Sequence, residues 1–339
     1  MIKEKENSKM HTLRNLLIVV VLSLLLAACM GSQVGDVQQE SGEITHIRLP
    51  MGYIPSVQYA PLYAADQREF YKEAGLELEF DYSFETDGVA LVASNELQFS
   101  LASGEQVLLA RAEGLPIVYV LGWYKDYPIS VVSKSEHAIH TPGDLAGKHI
   151  GIPGLFGASY VGFRALLDAA GLEEGEVVLD SIGFNQVEAV AADQVEAAVV
   201  YVNNEPYQLQ ALGFDVNVIP VADYTNLVGN GLITNEITIQ EHPDLVRRMV
   251  QATIRGIKFT VTHPTEAYEC SEEFVEGLPA LEDHLKREEV ERYSALYQTD
   301  PYGYSDPEAW ENMKMVIMKM GLITEDLDLE GAYTNEFTE

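Results

Sequence analysis

Apolar residues recur along the chain in two rhythms. Short runs rich in β-branched and aromatic residues at 44–53, 76–84, 97–103, 117–124, 129–133, 149–153, 177–183, 197–202 and 216–221 predict strands. Between them, helical spacing at 60–73, 88–95, 104–112, 159–169 and 186–192 predicts helices. Strands that alternate with helices imply sheets of mainly parallel strands flanked by helices, an α/β class. From Pro243 onward the pattern turns almost wholly helical, over 242–263, 285–298 and 306–322, with a further helix around Cys270. In the last of the three, Met313, Ile317 and Met320 share one helical face and read as core. The strands at 129–133 and 230–236 are the expected crossings between two lobes. One lobe is then 44–129 together with 230–339, the latter mostly helical, and the other is 130–229.

A different pattern occupies the start. Four basic residues, Lys3, Lys5, Lys9 and Arg14, precede the apolar run Leu16 to Leu26, which ends in Ala27, Ala28 and Cys29. The run is shorter than the ~20 residues a spanning helix needs, so residues 1–28 read as a secretory signal. LAAC at 26–29 resembles the bacterial lipobox, which makes Cys29 the lipidation site. The stretch 29–43, rich in Gly, Ser, Gln and Asp, then reads as a flexible tether. This places the protein on the extracytoplasmic face of a cell membrane, held by a lipid anchor. Cys270 would be the sole free thiol, so no disulfide framework is expected.

Charge narrows the choice of partners. The chain of 339 residues carries 53 acidic and 21 basic side chains, a net charge of −32. Without a basic face it has no means of releasing counterions from phosphates, which excludes nucleic acid as a partner. At 47% hydrophobic and 22% charged it has enough apolar material for a sizeable core. The acidic surplus reads as a solvated coat on a monomer.

Catalytic signatures are missing. The chain has no H-E-x-x-H, C-x-x-C or G-x-S-x-G, and GDLAGKH at 143–149 fails the phosphate-loop spacing. His137 and His140 lack companion ligands in the sequence and read as a turn, so neither metal nor cofactor is expected. What remains is a collection of rings, amides and glycines where strand ends are predicted. Tyr53, Gln58 and Tyr59 follow the first strand, Trp123 and Tyr124 the fourth, and Tyr201, Asn203 and Asn204 the eighth. After the strand at 149–153, Phe156, Gly157, Ala158, Ser159 and Tyr160 open a helix whose free backbone N–H groups can cradle a polar ligand atom. Glu105, at the start of the helix after Ser103, can accept from a ligand N–H or hydroxyl. Ligands of open α/β sheets bind beyond the carboxyl ends of the strands. An aromatic-walled cleft suits a flat heterocycle, with rings stacking on its faces and amides reading its edge.

Three segments carry a family resemblance: GYIPSVQYAPLYAADQREFYKEAGLELEF, SGEQVLLARAEGLPIVYV, and TPGDLAGKHIGIPG with the helix that follows. From about 44 to 321 the chain resembles the substrate-binding proteins of bacterial ABC importers, in the branch of thiamine-pyrimidine, sulfonate and riboflavin binders. The phrase T-P-x-D-L-x-G-K-x-I/V-G is characteristic of that superfamily. The resemblance implies a two-lobed clamp, a small-molecule ligand, an ABC permease as partner and no catalysis. Thiamine-pyrimidine binders usually open with D-W-x-P-N-x-x-H, where this chain has Tyr53 for Trp and Gln58 for the region of the His. GYIPSVQYAP, SGEQVLL and GIPGLFGASY are more similar to the riboflavin-binding lipoproteins. Riboflavin is therefore the expected ligand, a thiamine pyrimidine precursor the alternative, and an enzyme acting on such a precursor the distant one.

Overall fold

The computed structural model of the protein describes residues 44–276, Leu278 and 301–339. The signal, tether and Cys29 expectations, and the helix expected at 285–298, lie outside those residues.

Among the described residues ten strands form three sheets. β1 (Thr45–Gly52) pairs in parallel with β2 (Leu76–Phe84). Over the first half of β1 the period is two, with Ile47 and Leu49 buried and His46 and Arg48 outward, where Arg48 donates to Asp81 at 2.6 Å, and Pro50 and Met51 then continue buried. β3 (Ser100–Ser103), β10 (Asn230–Asn235) and β4 (Ile117–Gly122) form a three-stranded sheet in that order. β4 is buried throughout, which explains its unbroken apolar run, and β3 is equally buried although serines stand at both its ends. The third sheet has the order β7-β6-β8-β5-β9, from β7 (Val178–Ser181), β6 (His149–Ile152), β8 (Ala197–Tyr201), β5 (Ile129–Lys134) and β9 (Val216–Pro220).

Strand direction organises the rest. β6 runs parallel to β7 and to β8, while β5 is antiparallel to both β8 and β9. In the five-stranded sheet, therefore, β5 alone is reversed. In the three-stranded sheet β10 is antiparallel to both of its neighbours and is the reversed one there. These are the two strands expected to carry the chain between halves; within each of these two sheets the remaining strands share one direction, and the antiparallel pairings all involve β5 or β10.

Helices cover the sheets, and residues 44–339 cluster as one compact unit. The helix Pro243–Thr262 buries Val246, Met249, Val250, Thr253, Ile257 and Thr260 along one stripe. It lies so close to the helix Ala60–Gln67 that a Cβ at Gly256 would sit 2.1 Å from the Pro61 carbonyl oxygen. The helix Pro307–Lys319, capped by Asp306, buries Trp310, Met313 and Ile317 and leaves Met315 exposed. Trp310 stacks on Tyr333 at 5.0 Å and meets the edge of Tyr119 at 5.2 Å. This helix packs on the helix Gly104–Ala112 and also reaches the helix Gly157–Ala169. One apolar cluster accordingly runs from Val107 and Tyr119 through Trp310 to Ile150 and Phe163. No helix among the described residues is long and apolar enough to cross a membrane.

Some expectations shift. The single helix expected over 60–73 breaks into Ala60–Gln67 and Phe70–Glu73 because Glu69 adopts a left-handed φ of 59°. A helix at Glu205–Ala211 was not anticipated, although Asn204, an acidic first turn and Pro206 are start signals. The family phrase proves architectural: the Thr141 N–H and hydroxyl donate to Asp144 at 2.8 and 2.9 Å, capping the short turn Pro142–Leu145. His137 does gain companions from the fold. Its Nε2 lies 3.1 Å from Asp193, whose carboxylate also takes Lys134 Nζ at 2.7 Å and is thereby already matched by a cation.

Truncating Trp310 to Ala removes a fully buried ring, and an unfolding midpoint lower by the equivalent of about 3–5 kcal/mol is expected in urea titrations. Met315→Ala, at an exposed position of the same helix, is expected to change stability by less than about 0.5 kcal/mol.

Candidate ligand site between the sheets

The carboxyl ends of β1 to β4 and of β6 to β8 meet along one cleft. A cavity of about 90 Å³ lies there. From the first half it is lined by Tyr53 after β1, Glu85 after β2, Gln106 after β3, and Trp123 and Tyr124 after β4. The other half adds Phe156 to Ser159 after β6, Phe184 and Gln186 after β7, and Tyr201 and Glu205 at the end of β8. Asn230 lines it from the amino end of reversed β10, the end that points the same way.

Three rings make a fixed wall. Tyr59 stacks on Trp123 at 5.3 Å and Trp123 on Tyr124 at 4.8 Å, with interplanar angles of 28° and 18°. All three are buried, and hydrogen bonds hold the ends of the stack. The Tyr59 hydroxyl donates to the Met51 carbonyl at 2.8 Å, and the Asn203 amide donates to the Tyr124 hydroxyl at 3.2 Å. The rim is built of looser rings. Phe84 and Phe156 are more than half exposed, and Phe184 meets Tyr53 edge-on at 4.7 Å and Phe84 at 6.3 Å. Tyr53 and Phe84 follow strands of one half and Phe184 a strand of the other, so these contacts bridge the cleft.

Carboxyl groups stand among the rings, and of these the sequence pointed to Glu105 alone. Glu205 begins the helix Glu205–Ala211, where the helix N-terminus favours an acidic side chain. It accepts from the Tyr201 N–H and the Asn204 amide at 3.0 Å each, and from the Tyr53 hydroxyl at 3.4 Å across the cleft. Burial nevertheless pushes its carboxyl up to about 7. On the opposite side Ser103 lies between two carboxylates. Its hydroxyl is 2.6 Å from Glu85, also touches Glu105, and its N–H donates to Glu85. One hydroxyl has one proton to give, so a second proton must reside on the pair. Glu105, fully buried and pushed up by burial and by Glu85, is the group that holds it. No Lys, Arg or His lines the cavity among the described residues.

The fold thus gathers Tyr53, Gln58, Tyr59, Trp123, Tyr124, Phe156, Gly157, Ala158, Ser159 and Tyr201 around one space. The helix expected from Ser159 starts at Gly157, whose φ of 69° turns the chain so that three successive residues of its first turn face the cavity. Tyr160, one residue on and about 100° further round, turns away to Glu174 at 2.7 Å and does not line the cavity. Glu105 likewise points inward to Ser103 while its neighbour Gln106 takes the lining position. Asn203 sits behind the wall as a support for Tyr124, and Asn204 supports Glu205 while lining an adjacent space. Sequence reasoning passed over Glu85, Gln106, Phe184, Gln186, Glu205 and Asn230. Glu205 alone carried a signal, as the acidic residue that opens a helix after Asn204.

Glu205 and Glu105 keep protons in the folded chain at pH values where an unfolded chain has lost them. The native state then binds more protons, so their contribution to stability falls as pH rises from near 4.5 to about 7 and beyond. The melting temperature is expected to drop between pH 5 and pH 8. Glu205→Gln should make that slope shallower, because the acid coat's own repulsion remains while one titrating group is gone.

A profile of the NMT1/THI5-like family matches residues 56–267. The chain is 34% identical to the riboflavin-binding protein RibY of Chloroflexus aurantiacus, over 97% of this chain and 98% of that one. It is 26% identical to the formylaminopyrimidine-binding protein of Halalkalibacterium halodurans, over 86% and 88% of the two chains. Among solved structures, the alkanesulfonate-binding protein SsuA from Xanthomonas axonopodis pv. citri superposes with a TM-score of 0.68 at 17% identity, covering 86% of this chain and 99% of that one. A periplasmic-binding-protein fold with an aromatic cleft, a family profile and a relative matched end to end agree: this chain belongs to the NMT1/THI5-like family.

Proposed function

We propose that the protein is the extracytoplasmic solute-binding component of an ABC importer, anchored by lipid at Cys29, and that it captures a flat heteroaromatic vitamin, riboflavin in the first place. The observation that carries this reading is the stack of Tyr59, Trp123 and Tyr124, a rigid ring surface facing a cleft whose other side is supplied by a different sheet. The identity to RibY, spread over nearly both chains, supports riboflavin as the ligand. An aromatic ligand laid on the stack is worth about 0.5–1.5 kcal/mol beyond the area it buries.

Closure follows from the same contacts. The two sheet-centred halves act as lobes, and the contacts of Tyr53 with Glu205 and Phe184 join them. A ligand that touches both lobes binds the closed form better than the open one and shifts the population toward it by that difference. The permease then reads the closed form. The reaction is capture and release, with the ligand unchanged.

A second reading has its own observation. A cavity of about 90 Å³ is small against the roughly 300–1,000 Å³ of typical ligand sites, and it suits a single ring better than three fused ones. A pyrimidine precursor of thiamine would fill it without displacing the rim, and the formylaminopyrimidine-binding relative points the same way.

Titrating the purified protein with riboflavin is expected to quench flavin fluorescence at one equivalent and return the flavin intact. At 100 times Kd the ligand should stabilise the fold by about 2.7 kcal/mol. Trp123→Ala is expected to weaken binding by about 2 kcal/mol, roughly 30-fold. Unchanged fluorescence and melting with riboflavin, alongside stabilisation by formylaminopyrimidine, would install the second reading. In the host, Cys29→Ser is expected to move the protein from the membrane to the soluble fraction.

A further inference from the structure

Tyr53 separates the cavity from a second and larger one of about 410 Å³. Tyr53, Phe184, Gln186 and Glu205 line both, so the two spaces share one wall. That wall is lightly held. The Tyr53 hydroxyl reaches Glu205 at 3.4 Å, at the long end for a hydrogen bond, and also meets the Asn204 side chain, while the ring meets Phe184 by its edge. Gly52, at a φ of 83°, precedes the tyrosine and gives the chain a sharp turn there.

The two spaces differ in chemistry. The inner one faces the ring stack, whereas the outer one presents Ser56, Asn204 and Gln208 as hydroxyl and amide partners, with Gln208 donating to Asn204 at 2.8 Å. Glu188, Glu205 and Glu276 add carboxyl groups, and no Lys, Arg or His lines the outer space among the described residues. Such a chamber offers hydrogen bonds to hydroxyls and a repulsive field to an anion.

We infer that the outer chamber is a subsite for an uncharged polyhydroxylated side chain of the ligand, which passes Tyr53 while its ring system rests on the Trp123 stack, and that its carboxyl groups reject the phosphate ester of the same ligand. The inference rests on the flavin reading of the inner cavity. It also accounts for the small inner volume, because a ligand that displaces Tyr53 joins the two spaces into one. A phosphate monoester brings a charge of about −1.5 to −2 at neutral pH into a space that no cation lines among the described residues.

Three probes separate the two claims: lumiflavin, which has the ring without the polyol chain, riboflavin, and flavin mononucleotide. With the mature chain at low salt and pH 7.5, riboflavin is expected to bind at least tenfold more tightly than lumiflavin and at least tenfold more tightly than flavin mononucleotide. Gln208→Leu, at an exposed helix position, should weaken riboflavin several-fold and leave lumiflavin unchanged. Glu188→Lys should narrow the gap between riboflavin and flavin mononucleotide at least tenfold, and added salt should narrow it in the parent protein. Equal affinity for lumiflavin and riboflavin would overturn the subsite while leaving the flavin reading in place. Equal affinity for riboflavin and its phosphate would overturn the charge filter. Failure of all three to bind would overturn the flavin reading and the subsite with it.

Discussion

The polarity of the strands is the constraint on which this molecule depends. A parallel strand presents its carboxyl end, with the loop that follows it, at the same edge of the sheet as its neighbours. Among the described strands only β5 and β10 run against their sheet neighbours; β5 is the strand by which the chain enters the five-stranded sheet, and β10 is the one by which it returns to the three-stranded sheet. All other strand-end loops can therefore face one cleft. Tyr53, Glu85, Gln106, Trp123, Phe156, Phe184 and Glu205 come from seven different strand ends, yet they line one space. The C-terminal helix around Trp310 packs on helices that belong to both sheets, which ties the halves together through shared apolar contacts.

Electrostatics divides between the exterior and this cleft. Outside, the acid coat is hydrated and costs little. Inside, the carboxyls of Glu105 and Glu205 have lost water, and the fold answers with partial neutralisation in place of cations. Glu205 gains an N–H, an amide and a helix N-terminus, while Glu105 retains a proton shared through Ser103. The site is consequently aromatic and hydrogen-bonding, with carboxyl groups but no cation among its described lining residues.

Much of the fold could be read from periodicity, since strands such as Leu76–Phe84 and the helix Gly104–Ala112 fall where their patterns end. The departures have local causes: a left-handed Glu69 that divides one helix, and a helix at Glu205 hidden behind a segment that looked like loop chemistry. The site was legible where rings and glycines cluster at strand ends. It was illegible where a helix decides which of two adjacent side chains faces inward, as with Glu105 against Gln106 and Tyr160 against Ser159.

By itself the sequence determined the element types, the acid exterior and the aromatic character of the site, because each follows from residue type and spacing along the chain. Only the tertiary structure decided that Tyr53 would meet Glu205 and Phe184, that Ser103 would lie between two carboxyls, and that a single tyrosine would stand between the inner and outer chambers. Residues 53 and 205 are brought together by two sheets and a crossing strand. No local pattern encodes a contact whose geometry depends on how separate strands are packed.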